Sequence, residues 1–131
     1  IVNRTAERAT ELHQHIAKEC PQFASLLSSG GLNQAQGQWP IVINATSSSI
    51  SQAAPDLPGV QYAPGALAYD MFYSTDDTAF MQAAKAAGAN HVADGLGMLV
   101  GQAAAGFAIW HGVTPDIEPV LTMLRTQLGK G

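Results

Sequence analysis

Charge is scarce in this sequence. Of 131 residues only 12% are Asp, Glu, Lys or Arg, against about a quarter in an ordinary soluble domain. Lysine and arginine together number 6, and no basic cluster is larger than Arg4 with Arg8. Nucleic acid and anionic membrane surfaces are therefore not expected partners. A single cysteine, Cys20, excludes an intrachain disulfide and fits a reducing compartment. No apolar run reaches the roughly 18 residues of a membrane span, and the N-terminal stretch lacks the basic-then-apolar order of a signal peptide. The four histidines lack metal-ligand spacing: His13 and His15 diverge on a helix, and His91 and His111 are isolated. No metal is assigned, and a soluble cytoplasmic protein is the expectation.

Apolar residues are abundant instead, at 47% of the chain. The length suits one domain with a modest core, so the apolar surplus belongs against a partner. A net charge of −4 and a pI near 5.3 complete the picture.

Strands alternate with helices along the chain. After Ile1-Val2-Asn3, which reads as the end of a strand, a helix is predicted from Thr5 to about Glu19. Ala6, Ala9, Leu12, Ile16 and Ala17 form its apolar stripe, Thr5 is its cap, and Pro21 ends it. A short strand is expected at 23–26, followed by a loop or a single helical turn through Ser28, Gly30, Gly31 and Gly37. Ile41-Val42-Ile43-Asn44 reads as a strand covered on both faces, because three β-branched residues follow one another without alternation. The serine- and proline-rich run from Ala45 to Pro64 leaves no room for a helix of any length. Ala66 to Phe72 is the next strand, Thr78 to Ala87 a helix closed by Gly88, and His91 to Ala93 the last strand. A helix from Leu96 to His111 stops at Gly112, and Pro115 opens a final helix reaching about Leu128. The order implies an α/β fold with a doubly wound parallel sheet.

Open α/β sheets place their ligands at the carboxyl ends of the strands, and four such ends here carry polar residues. At the first, Asn3-Arg4-Thr5 leads into a helix with Arg8 one turn on. Like charges four apart repel, and cations at a helix N-terminus oppose its dipole. A bound dianion reverses both penalties, and two guanidinium forks beside free helix N–H groups suit the 2′-phosphate of NADP. Two solvated surface arginines are the alternative. At the second end, Asn44-Ala45-Thr46-Ser47-Ser48 offers small hydroxyls and open main chain to a cofactor, or is simply a loop. At the third, Asp70 in Tyr69-Asp70-Met71-Phe72-Tyr73 is either a general base or, more in keeping with its setting, a ligand of neighbouring main chain. The fourth is Ala93-Asp94-Gly95-Leu96-Gly97-Met98-Leu99-Val100-Gly101-Gln102, where a strand turns abruptly into an apolar helix. Gly95 and Gly97 permit positive φ or the close approach of a ligand. Gln102 then either faces water or reaches that ligand.

Together Asn3-Arg4-Thr5-x-x-Arg8-Ala9, Asn44-Ala45-Thr46-Ser47-Ser48, Tyr69-Asp70-Met71-Phe72-Tyr73 and Ala93 to Ala104 resemble shikimate dehydrogenase, in order and spacing, over essentially the whole chain. Trp110-His111-Gly112-Val113-x-Pro115 adds to the likeness. The resemblance implies reversible, NADP-linked hydride transfer between 3-dehydroshikimate and shikimate in aromatic amino-acid biosynthesis. It puts Asn3, Arg4, Thr5 and Arg8 on the adenosine phosphate, and Met71 and Gly95 at the nicotinamide end. Thr46 is taken as a further cofactor contact. Tyr73 and Gln102 would reach shikimate. A quinate-using relative, a glutamyl-tRNA reductase and a non-catalytic NADP-binding module share parts of this pattern.

The same resemblance implies that pieces lie upstream of Ile1: a substrate domain with the catalytic lysine and aspartate, the first Rossmann strand and its Gly-rich phosphate loop. Residues 1–95 would then be a partial NADP-binding domain, and 96–131 helices packing back toward the substrate domain. No catalytic residue is expected in the chain, which alone should be inactive. Because the absent strand is central in the usual order, the sheet would have a gap with exposed edges. Either the flanking strands pair directly, or a second copy fills the gap as a homodimer, or the chain is a piece of a longer polypeptide; the last is favoured.

Overall fold

β1 (Val2–Asn3) passes through one turn into α1 (Ala6–Glu19). The computed structural model describes residues 1–129; Lys130 and Gly131 lie outside the described residues. Within them the chain forms two compact units, one of residues 1–39 with 55–61 and the other of residues 40–54 with those from 62 onward. Thr5 stands at the N-cap of α1 but makes no capping bond through its side chain. Asn3 does the local work instead, its Oδ1 accepting the Thr5 N–H at 2.9 Å. Only Ala9 of the apolar stripe is fully buried, and Leu12 is 48% exposed. The strand expected at 23–26 is absent. Pro21, pre-set for a helical first position, starts a 3-10 turn over Pro21–Leu26, and the strand comes later as β2 (Gly30–Gly31). It runs parallel to β1, with Val2 opposite Gly30 and Asn3 opposite Gly31.

The second sheet has the order β3 (Gln36–Asn44), β4 (Gly59–Asp70), β5 (His91–Ala93). β4 and β5 are parallel, with Ala68 opposite Val92. α2 (Ala79–Ala86) supplies Phe80 and Ala84, which close a core on Ala68 with Val42, Tyr62, Ala89 and Val92 around it. Thr78 caps this helix, its Oγ1 accepting the Met81 N–H at 3.2 Å, and Gly88 at φ 98° closes it as expected. α3 (Leu96–His111) and its left-handed stop at Gly112, φ 68°, also fall where expected.

Three expectations are corrected. β3 is covered on one face only: Val42 packs on the core, whereas Ile41 and Ile43 are 55% and 61% exposed. β-branched residues favour the pleated strand whether or not both faces are occupied. α4 spans Glu118–Gln127, with Pro119, not Pro115, in its first turn. Asp116 Oδ1 accepts the Glu118 N–H at 3.1 Å and so fixes the start there. The run between β3 and β4 holds one 3-10 turn, Ser47–Ser51, and is shorter than expected, because β4 begins at Gly59 rather than Ala66. α1 connects the parallel pair β1 and β2, and α2 the parallel pair β4 and β5, but β1 and β3 lie in separate sheets. The fold is thus an incomplete Rossmann-like α/β fold.

Candidate functional site

Two main-chain bonds align the carboxyl ends of the second sheet. The Met71 N–H donates to Asn44 O at 2.9 Å, and the Gly95 N–H donates to Phe72 O at 3.0 Å. The ends of β3, β4 and β5 therefore sit side by side, carrying Asn44, Asp70 and Asp94.

Asp70 is fully buried and holds this end together. Its Oδ2 accepts from Ser49 Oγ and Thr78 Oγ1, each at 2.6 Å, and its Oδ1 from Asn44 Nδ2 at 3.2 Å and the Phe72 N–H at 3.1 Å. With both oxygens engaged and no exposure, the carboxylate has no route to a substrate; it binds neighbouring groups, main chain included, rather than serving as a base. Asn44 extends the network. Its Oδ1 accepts from Thr46 Oγ1 at 2.7 Å and from the Thr46 N–H at 3.1 Å. The Thr46 hydroxyl also caps the 3-10 turn, accepting the Ser48 N–H at 3.3 Å. That hydroxyl is committed within its loop, so Thr46 offers a ligand chiefly main chain.

Gly95 has an ordinary helical conformation, φ −73° and ψ −2°, so positive φ does not explain it. Close approach does, and the protein's own main chain is one group that comes close. A Cβ at Gly95 would stand 2.0 Å from Met71 O and 2.7 Å from Met71 C, whereas one at Gly97 or Gly101 would meet nothing within 4 Å. Gly95 thus lets the turn after β5 press against the end of β4. On the open side of that contact the Met71 side chain is 42% exposed and Tyr73 38%. The Tyr73 ring stacks on Phe72 with centroids 6.3 Å apart. Gln102, one to two turns along α3, is exposed.

Asp94 carries the contact that sequence reasoning missed. Arg125 of α4 grips it with both fork nitrogens, Nη1 on Oδ2 and Nη2 on Oδ1, each at 3.0 Å. Oδ1 also accepts the Leu96 N–H at 3.2 Å, capping the first turn of α3. The residues are 31 positions apart in different elements, and no local pattern announces the pair.

In the other unit, Asn3, Arg4, Thr5 and Arg8 gather at the start of α1, where the Arg8 N–H donates to Thr5 O at 3.1 Å. Both arginines are exposed. Neither guanidinium has an ion-pair or hydrogen-bond partner among the described residues.

Residues 95–124 match a family profile described as the shikimate 5'-dehydrogenase C-terminal domain. Over nearly its whole length the chain is similar to shikimate dehydrogenases. A shikimate dehydrogenase (NADP(+)) of Bordetella avium is 55% identical over 128 residues, 98% of this chain and 45% of the relative. The chain therefore spans a little under half the length of the curated relatives it matches. A shikimate dehydrogenase structure in complex with NADP+ superposes with a TM-score of 0.80 at 30% identity, over 98% of this chain and 46% of that one. The Thermus thermophilus enzyme, solved with NADP(H) and shikimate, gives a TM-score of 0.68 at 28% identity, over 97% and 44%. Among the described residues no helix is long and apolar enough to cross a membrane.

Proposed function

We propose that the chain is the cofactor-binding portion of a cytoplasmic, NADP-dependent shikimate dehydrogenase that interconverts 3-dehydroshikimate and shikimate. The observation that carries this is the pair of exposed guanidinium groups, unpartnered among the described residues, in and just before the first turn of α1, where a helix disfavours cations. A 2′-phosphate there would gain both forks and the free N–H groups of the helix start. Asn3 and Thr5 would complete this end.

In the second unit the main chain at Thr46, the Met71 side chain and Gly95 would line the path of the cofactor toward its nicotinamide, which when bound exchanges the hydride. Tyr73 and Gln102 would supply hydrogen-bonding groups to the hydroxylated ring of the substrate. No carboxylate at these strand ends is free to take the carbinol proton: Asp70 and Asp94 are both buried and bonded. The catalytic pair would therefore come from a substrate domain upstream, and the chain alone would not turn over. The coverage of a little under half of the curated relatives' length supports a further strand and domain upstream, the reading favoured here over a homodimer. On this reading residues 1–95 are the partial NADP domain and 96–131 the helices that face the substrate domain.

The test is cofactor choice in the intact enzyme with shikimate as substrate. Arg4→Ala and Arg8→Ala should each weaken NADP by about 1.5–3 kcal/mol, more than tenfold, and leave NAD nearly unaffected. Gln102→Ala in the same assay should raise KM for shikimate and not for NADP. Equal losses for NADP and NAD would refute the clamp.

A further inference from the structure

We infer that Arg125 is a positioning residue for the nicotinamide end of the site, acting through Asp94 on the turn that presents Gly95. The inference rests on the reading of Gly95 and Gln102 given above. Its basis is the geometry of one carboxylate. The Asp94 side chain is 1% exposed, and it binds the guanidinium of the last helix and the first turn of α3 at once. On the opposite side the same turn is wedged against Met71 O and tied to Phe72 O. The turn is therefore held from β4 on one side and from α4 on the other, with little slack in either direction. α3, which carries Gln102, takes its origin and direction from this turn. A shift of a fraction of an ångström at Leu96 is carried along a rigid helix to Gln102.

The planar fork matters as much as the charge. Two parallel N–H···O bonds fix the rotation of the carboxylate, and so which of its oxygens caps Leu96; a lysine at the same place supplies a point charge without that constraint. Without Arg125, a buried carboxylate loses its charged partner and two charge-assisted hydrogen bonds and turns toward other donors or water, taking the cap with it. Beside the pair lies an open cleft of about 760 Å³ bordered by Asp76, Asp77, Gln82, Asp94 and Arg125 itself, whose side chain is 33% exposed. A small planar cation can therefore enter from solvent and reach Asp94 once the arginine side chain is gone.

This permits a chemical-rescue test on the intact enzyme, with shikimate and NADP as substrates and the unfolding midpoint measured beside the kinetics. Arg125→Ala should lower kcat at saturating substrates about tenfold or more, as small misplacements at a reacting centre do. Guanidinium chloride at millimolar concentration, against equal sodium chloride, should restore several-fold of that loss in Arg125→Ala and nothing in Asp94→Asn. Arg125→Lys should keep the fold but recover less than half of kcat, which keeps the test open if the alanine variant does not fold. A lowered midpoint with wild-type kcat in either Arg125 variant, or no response to guanidinium, would overturn the inference and leave Arg125 a mere brace for α4. A wild-type enzyme that does not oxidise shikimate with NADP would instead overturn the functional reading, and this inference with it.

Discussion

Gly95→Ala isolates the contact on which the end of the second sheet depends. The added Cβ would lie 2.0 Å from Met71 O, 2.7 Å from Met71 C and 3.3 Å from Met71 Cα. Ordinary contact needs about 3.4 Å or more, so the two main chains must separate by an ångström or more. Neither can yield cheaply. The Gly95 N–H is bonded to Phe72 O at 3.0 Å, Gly95 O accepts the Leu99 N–H at 2.9 Å, and Asp94 next door is clamped by Arg125. Overpacking of this kind costs about 1–3 kcal/mol, and losing the Phe72 bond adds about 1 kcal/mol. A loss of about 3 kcal/mol follows, which for a domain of this class lowers the unfolding midpoint by roughly 10 °C. Gly101→Ala is the comparison, because a Cβ there meets nothing within 4 Å and alanine is the better helix former; it should be neutral or stabilising. Urea unfolding of the intact enzyme measures both. A Gly95→Ala cost below about 1 kcal/mol, at the low end of overpacking, would show that the Met71 contact gives way and is not the reason for the glycine.

Two further outcomes separate structural from chemical roles. Asp70→Asn replaces an acceptor of two short hydroxyl bonds by an amide, so about 3–5 kcal/mol of stability should be lost at charged-bond values, with kcat per folded molecule retained. Unchanged stability with kcat down more than tenfold would make Asp70 a base after all. Burial pushes the Tyr62 phenol above its ordinary 10.0, so the folded state holds that proton more tightly than the unfolded chain. The stability it contributes is present in full below pH 10 and falls as pH rises through the raised folded value. Tyr62→Phe should flatten that alkaline decline in unfolding midpoints measured across the range, and an identical decline in both proteins would remove Tyr62 as its source.

What could be read from the residues divides along a physical line. Features set by local chemistry were legible: the stop of α3 at Gly112, the closure of α2 by Gly88, and the arginines at α1, which stand out because they violate two local rules at once. Where two prolines compete for one helix start, as Pro115 and Pro119 do, propensity alone does not choose, and the local bond from the Glu118 N–H to the Asp116 side chain, two residues back, marks the start. The β-branched run at Ile41 to Ile43 states only that a strand forms. Coverage of its second face depends on chain segments that the run does not encode, so Ile41 and Ile43 stand open here.

Gly95 is the sharpest instance. A glycine at a strand-to-helix turn announces that something comes close, and one such neighbour is Met71 O. That neighbour and a ligand are not rivals, because a turn pressed tightly on β4 is also one whose outer surface is held at a fixed depth. Met71 and Tyr73, partly exposed beside it, inherit that precision. Asp94 shows the same division at longer range: a buried carboxylate in sequence is a demand for a partner, and only the fold reveals that the partner is a guanidinium 31 residues on. The last helix is thereby tied to the turn at the strand ends, which is why a residue far from every recognised motif can set the geometry of the site.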